Sequence, residues 1–133
     1  MSSRLILLAH GSRNSNWCKT FVKGTRIINK RLEHEASLAY MEMAAPSLEN
    51  VISRHYLLGD RNFEVLPLFF AAGRHLLHDV PKKIERLNSQ YSDIDIRLLD
   101  ELGCHDAFWT ALGDLIANRY FTDKKVTSGE TKK

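Results

Sequence analysis

Residues 4–16 read Arg4-Leu5-Ile6-Leu7-Leu8-Ala9-His10-Gly11-Ser12-Arg13-Asn14-Ser15-Asn16. The apolar run over residues 5–9 has no polar interruption, and a loop of Gly, Ser and Asn closes it. That pattern predicts a strand buried on both faces. Such a strand belongs to a parallel sheet covered by helices, so this stretch sets the fold class. The next segment agrees with it. From Trp17 to about Glu35, Phe21, Val22, Ile27, Ile28 and Leu32 recur at helical spacing among Lys and Arg. Ser15 or Asn16 is the expected N-cap.

The alternation continues along the chain. Residues 37–44 form the second apolar stretch. Pro46-Ser47-Leu48-Glu49 opens a helix that runs out near Gly59. Residues 63–70 predict a third strand, in which Pro67 should end or bend the pairing. A helix comes next over residues 74–90, and Pro81 near its start predicts an irregular or kinked entry. Residues 94–99 make the fourth strand. His105 or Asp106 opens a last helix through Tyr120. Strands alternating with helices predict a three-layer α/β fold, with a four-stranded parallel sheet and helices on both faces. Residues 1–121 should form one domain. The Lys-, Thr- and Ser-rich stretch 122–133 should be a flexible tail.

Composition narrows the partners. The 133 residues are 44% hydrophobic and 26% charged, with a formal net charge of +3. No Lys/Arg stripe is interleaved with aromatics, which argues against a nucleic-acid partner. The mild positive excess suits a small substrate rich in carboxylates. Cys18 and Cys104 form no CxxC pair and read as reduced thiols. The apolar run 5–9 is too short for a membrane span or a signal core. The expected location is therefore the cytoplasm, with no membrane partner.

In open α/β sheets, ligands bind beyond the carboxyl ends of the strands. This rule selects His10, Gly11, Ser12 and Arg13 after the first strand, Glu42 after the second, and Gly73, Arg74 and His75 after the third. It also selects Asp100, Glu101, Cys104 and His105 after the fourth. Two imidazoles and a carboxylate from three strands suit Co²⁺, Ni²⁺, Fe²⁺ or Zn²⁺ with positions left open. Imidazole also accepts protons near neutral pH. Taken singly, each histidine is more often a loop or capping residue, so the argument rests on their convergence. Arg13 and Arg74 are the candidates for bidentate contact with substrate carboxylates. Gly11 and Gly73 should let the chain turn sharply beside the histidines. His34 and His55 lie near helix ends, where the dipole favours them. His78 shares a helical face with His75 and reads as a surface or auxiliary histidine, while His105 falls outside the site. Neither GxGxxG nor GxxxxGK[ST] occurs, so a nucleotide fingerprint is unsupported.

Three of these segments also carry a resemblance. Leu7-Leu8-Ala9-His10-Gly11-Ser12-Arg13, Met41-Glu42-Met43-Ala44-Ala45-Pro46-Ser47-Leu48, and Leu66-Pro67-Leu68-Phe69-Phe70-Ala71-Ala72-Gly73-Arg74-His75 resemble, in order, the motifs of small CbiX/SirB-type sirohydrochlorin chelatases. Gly103-Cys104-His105 echoes a weaker fourth segment. The resemblance implies a chelatase-like fold and insertion of a divalent metal into sirohydrochlorin, with Co²⁺ favoured and Ni²⁺ or Fe²⁺ as alternatives. The metal is then a substrate, and no cofactor stays bound. His10 and His75 match the family's metal-binding, proton-accepting pair. Glu42 matches the nearby carboxylate, free to bind metal, relay protons or orient an imidazole. Ser12, Arg13, Gly73 and Arg74 fall where substrate would sit. Single-unit members of this kind pair as homodimers. Two departures stand out: Arg74 where Gly is common, and His78 where an acid is usual. The rival readings are a metal or tetrapyrrole carrier and a histidine phosphatase-like hydrolase. Ala9 argues against the second, since it replaces the Arg that would bind phosphate there.

Overall fold

The computed structural model describes residues 3–120, the side chains of His75 and Tyr120 excepted. The tail expected over residues 122–133 lies outside the described residues. The chain runs β1 (Arg4–Ala9), α1 (Ser15–Asn29), β2 (Ser37–Tyr40), α2 (Leu48–Leu57), β3 (Asn62–Pro67), α3 (Val80–Gln90), β4 (Asp95–Leu98) and α4 (Asp106–Tyr120). A π-helical turn at His75–Asp79 precedes α3, and a 3₁₀ turn at Leu102–Cys104 precedes α4. The sheet order is β2-β1-β3-β4, with every pair parallel.

β1 lies inside this order because its sequence leaves no polar face. Ile6, Leu7, Leu8 and Ala9 are all at most 1% exposed. Alternate side chains serve opposite layers. Ile6 and Leu8 join Phe63, Val65 and Ile96 against Leu48, Val51 and Ile52 of α2 and Val80, Ile84 and Leu87 of α3. On the other layer, Trp17 of α1 stacks on Phe21 at 4.4 Å and reaches Tyr40 of β2 at 6.4 Å. The reversal between β1→β2 and β2→β3 separates α1 from α2 and α3, as right-handed crossovers require. α4 stands apart. Among its described side chains none is fully buried, and Trp109, Leu115 and Ile116 stay 47%, 50% and 39% exposed.

Several boundaries differ from expectation for local reasons. The N-cap of α1 is Asn14, not Ser15 or Asn16. Its Oδ1 accepts the N–H groups of Asn16 (2.8 Å) and Trp17 (3.2 Å). α1 stops at Asn29, short of residue 35, because the Asn29 carboxamide brackets Ala36, accepting its N–H and donating to its carbonyl. β2 ends at Tyr40 rather than residue 44. Beyond it Met43 takes a left-handed φ of 66° and the Ala45–Pro46 bond is cis. β3 ends at Pro67, where the missing N–H was expected to stop the ladder. The entry to α3 is irregular as expected, and Pro81 lies in its first turn, where its missing N–H costs nothing.

The end of the sheet away from the candidate residues is locked by polar contacts. His55, in the last turn of α2, is only 9% exposed. Its Nδ1 donates to Asp60 (3.0 Å) and its Nε2 lies 3.0 Å from Ser37 Oγ. Asp60 also accepts from Arg4 Nε at 3.0 Å. His55 is therefore a tie between α2, β1 and β2 rather than only a partner of the helix dipole. No helix among the described residues is long and apolar enough to cross a membrane.

Candidate functional site

The parallel pairing of β1 with β2 continues as single bonds past the strand ends. Met41 N–H donates to Ala9 O (2.9 Å) and Glu42 N–H to His10 O (3.2 Å). This brings the two side chains that leave those strands together. His10 Nε2 lies 3.8 Å from Glu42 Oε2, with the side chains 40% and 45% exposed. Gly11 makes the approach possible. Its φ is +102°, and a Cβ there would overlap the Glu42 carbonyl oxygen. Only glycine meets both conditions without strain.

The imidazole is bounded by its own loop and by the segment that follows β3. His10 Nδ1 lies 3.4 Å from Gly11 O, and the Phe69 ring centroid is 6.3 Å from that of His10. A half-exposed imidazole beside a carboxylate can accept a proton, hold a divalent cation, or do both in turn. Ser12 is committed to its loop, since its Oγ accepts the Asn14 N–H (3.0 Å) and its carbonyl takes the Cys18 thiol (3.3 Å). Arg13 is exposed at the same rim.

The third segment arrives on the same edge. Leu68 N–H donates to Leu8 O (2.9 Å), one residue past β3. The chain then loops through Gly73 and the exposed Arg74 to the π-helical turn that begins at His75. The backbone of His75 thus comes after β3 on the edge that carries His10 and Glu42; its side chain lies outside the described residues. Gly73 needs correcting as a turn-former. Its φ is not left-handed, and a Cβ there would meet open space, so the turn does not require glycine. His78 is exposed. His105 Nε2 lies 3.0 Å from Asp100 O, within its own loop. Among the described residues, no three His, Cys, Asp or Glu side chains converge as a metal site.

Two features of this edge carry no clear signal in the sequence. Glu101 falls at the edge by its position after β4, with no role that its neighbours in the chain suggest, yet it joins the third and fourth segments. Its own backbone N–H, the Cys104 thiol and the Ala72 N–H all stabilise the carboxylate and hold it below its ordinary range. In return that carboxylate pushes the Cys104 thiol up. Phe69 is the second: its apolar context marks it as strand, and only the fold sets it beside His10.

The sequence model of the CbiX family matches residues 4–119. The sirohydrochlorin cobaltochelatase of Saccharolobus islandicus is 24% identical over 121 residues, which cover 86% of this chain and 91% of that protein. A putative cobalamin biosynthesis CbiX protein from Marinobacter aquaeolei VT8 has a solved structure that superposes with a TM-score of 0.80. It is 41% identical over 88% of this chain and 96% of that one. The sirohydrochlorin chelatase SirB from Bacillus subtilis subspecies spizizenii, solved in complex with cobalt, shares the fold at a TM-score of 0.77 and 20% identity. There the match covers 90% of this chain and 51% of SirB.

Proposed function

This chain belongs to the CbiX family, and from that premise we propose that it inserts a divalent metal ion into sirohydrochlorin, with His10, His75 and Glu42 as the working groups. The observation that carries the proposal is the half-exposed His10–Glu42 pair at 3.8 Å, set where an open α/β sheet binds ligands.

Metallation has three requirements. The hydrated cation must shed waters, the macrocycle must present its nitrogen lone pairs, and two pyrrole protons must leave. Neutral imidazole serves the first by replacing water on the cation, and the third by accepting a proton. His10 and His75 take these parts. Glu42, beyond hydrogen-bond length from His10, offers its charge to the cation or to the imidazolium that forms when His10 takes a proton. Arg13 and Arg74 grip carboxylates at the rim of the substrate, with Ser12 and Gly73 in the same two loops.

Co²⁺ is the metal substrate we favour, because relatives named cobaltochelatases align along most of their length; Ni²⁺ and Fe²⁺ are the alternatives. The chain spans about half of SirB, so a second copy is proposed to complete the cleft as a homodimer. Exposed apolar residues such as Ile27 of α1 and Leu115 of α4 offer area for it. The cytoplasm is the proposed location.

The test is the absorbance change when Co²⁺ is added to sirohydrochlorin with catalytic amounts of protein. Wild type should metallate many equivalents, and His10→Ala and His75→Ala should each slow the reaction by roughly a hundredfold or more. Wild-type rates in both variants would sink this mechanism. A single stoichiometric event per chain would make the protein a carrier instead.

A further inference from the structure

Three aromatic rings crowd together on the same edge of the sheet as His10, and the metallation steps use none of them. Phe70 is 66% exposed and Trp109 47% exposed. Ring centroids are 5.6 Å apart for Phe70 and Phe108, 6.2 Å for Phe70 and Trp109, and 5.2 Å for Phe108 and Trp109. Single exposed apolar residues are ordinary on a protein surface, but a contiguous aromatic patch marks a place of contact.

The patch is held rigidly. Trp109 Nε1 donates to Gly103 O at 2.7 Å, and Gly103 N–H donates to Phe69 O at 3.0 Å. A Cβ on Gly103 would overlap the Phe70 carbonyl oxygen, so this seating of the fourth segment on the loop after β3 requires glycine. Phe69 in turn lies beside His10. The aromatic group is thus tied, through one backbone contact, to the residue that flanks the imidazole. Rigid rings present large apolar area at little entropic cost, and their faces favour stacking with other π-systems. A flat conjugated macrocycle with a carboxylate rim suits the chemistry of this edge: rings for its face, and the exposed Arg13 and Arg74 of the loops after β1 and β3 for its carboxylates.

Resting on the reading of the chain as a metal-inserting enzyme, we propose that Phe70 and Trp109 form a shelf that contacts the tetrapyrrole and sets its affinity, without taking part in the proton or metal steps. Phe70 is the cleaner probe, because its exposure means that truncation removes little from the core.

Phe70→Ala should raise both KM and the dissociation constant for metal-free sirohydrochlorin roughly tenfold, with kcat within about twofold of wild type. Phe70→Tyr should restore both. Trp109→Phe keeps a ring but loses the Nε1 donor, and should lie closer to wild type than Phe70→Ala. For the Phe70 variants binding is read directly in a Trp17→Phe chain, where Trp109 is the remaining tryptophan; Trp109→Phe is compared by KM, and Co²⁺ binding followed by calorimetry should be unchanged throughout. Unaltered affinity and KM in Phe70→Ala overturn the proposal. If the same variant loses its dimer while affinity holds, the shelf belongs to a second copy and the proposal again fails. Should wild type bind sirohydrochlorin without metallating it, the metal-inserting function fails while the dissociation constants still decide the shelf. If wild type does not bind it, both fall.

Discussion

The Nε2 of His10 stands 3.8 Å from the Oε2 of Glu42, a spacing too long for a hydrogen bond and close enough to form an ion pair when the imidazole carries a proton. The loops after β1 and β2 hold the pair in place, and both side chains reach solvent. A proton or a cation arriving between them meets an imidazole and a carboxylate at once.

Glu42→Gln removes the charge and keeps the shape. It should slow metallation by roughly tenfold, less than the hundredfold or more expected for His10→Ala, because a supporting partner typically contributes less than the base itself. Steady-state absorbance assays on both variants check the order. A Glu42→Gln variant slower than His10→Ala would make the carboxylate the principal base.

The two glycines beside the histidines should respond in opposite ways. Gly11→Ala forces a side chain into the Glu42 carbonyl at a left-handed φ. It should cost about 2 kcal/mol or more and separate Glu42 from His10. Gly73→Ala meets open space at an ordinary φ and should stay within about 0.5 kcal/mol of wild type. Denaturant melts of the two variants, compared side by side, are enough to tell.

Arg74 is exposed, so its contribution to substrate binding should be electrostatic and sensitive to salt. Arg74→Ala should raise KM for sirohydrochlorin several-fold at low ionic strength, with the difference shrinking as salt rises past about 0.15 M. KM measured across a salt series provides the check. A difference that does not respond to salt would assign Arg74 a steric part.

The far end of the sheet should set acid stability. Partial burial pushes the Asp60 carboxyl up, but Arg4 and His55 more than offset this and leave it below its ordinary range. A depressed folded value stabilises the protein above the unfolded value near 4, and that contribution is lost as pH falls through the folded value. Asp60→Asn should therefore lower Tm at neutral pH and flatten its fall below about pH 4. His55→Ala should cost about 2 kcal/mol, because Asp60 loses a partner in a mostly buried site. Thermal melts from pH 7 to pH 2 measure both effects.

The fold was legible because apolar periodicity is a local signal. The unbroken run through Ile6, Leu7 and Leu8 announced a strand buried on both faces, and Pro67 announced where β3 would stop. Helix ends were less legible. Ser15, Asn16 and Asn14 are all competent caps, and the choice fell to the one whose Oδ1 reaches two amides. The end of α1 depended on Asn29 finding Ala36, a contact that local pattern does not encode. His55 reads as a helix-end histidine because its partners, Ser37 and Asp60, come from other elements.

The sequence by itself determined the alternation of strands and helices, the parallel sheet, the edge on which His10, Glu42 and His75 would fall, and the family whose motifs they match. Each of these depends on residues close in the chain or on their order along it. The tertiary structure alone decided that Glu42 faces His10, that Gly11 and not Gly73 is the obligatory glycine, and that Phe70, Phe108 and Trp109 meet. Those facts depend on where separate strand ends come to rest, and that is set by the register and packing of the whole sheet rather than by any stretch of it.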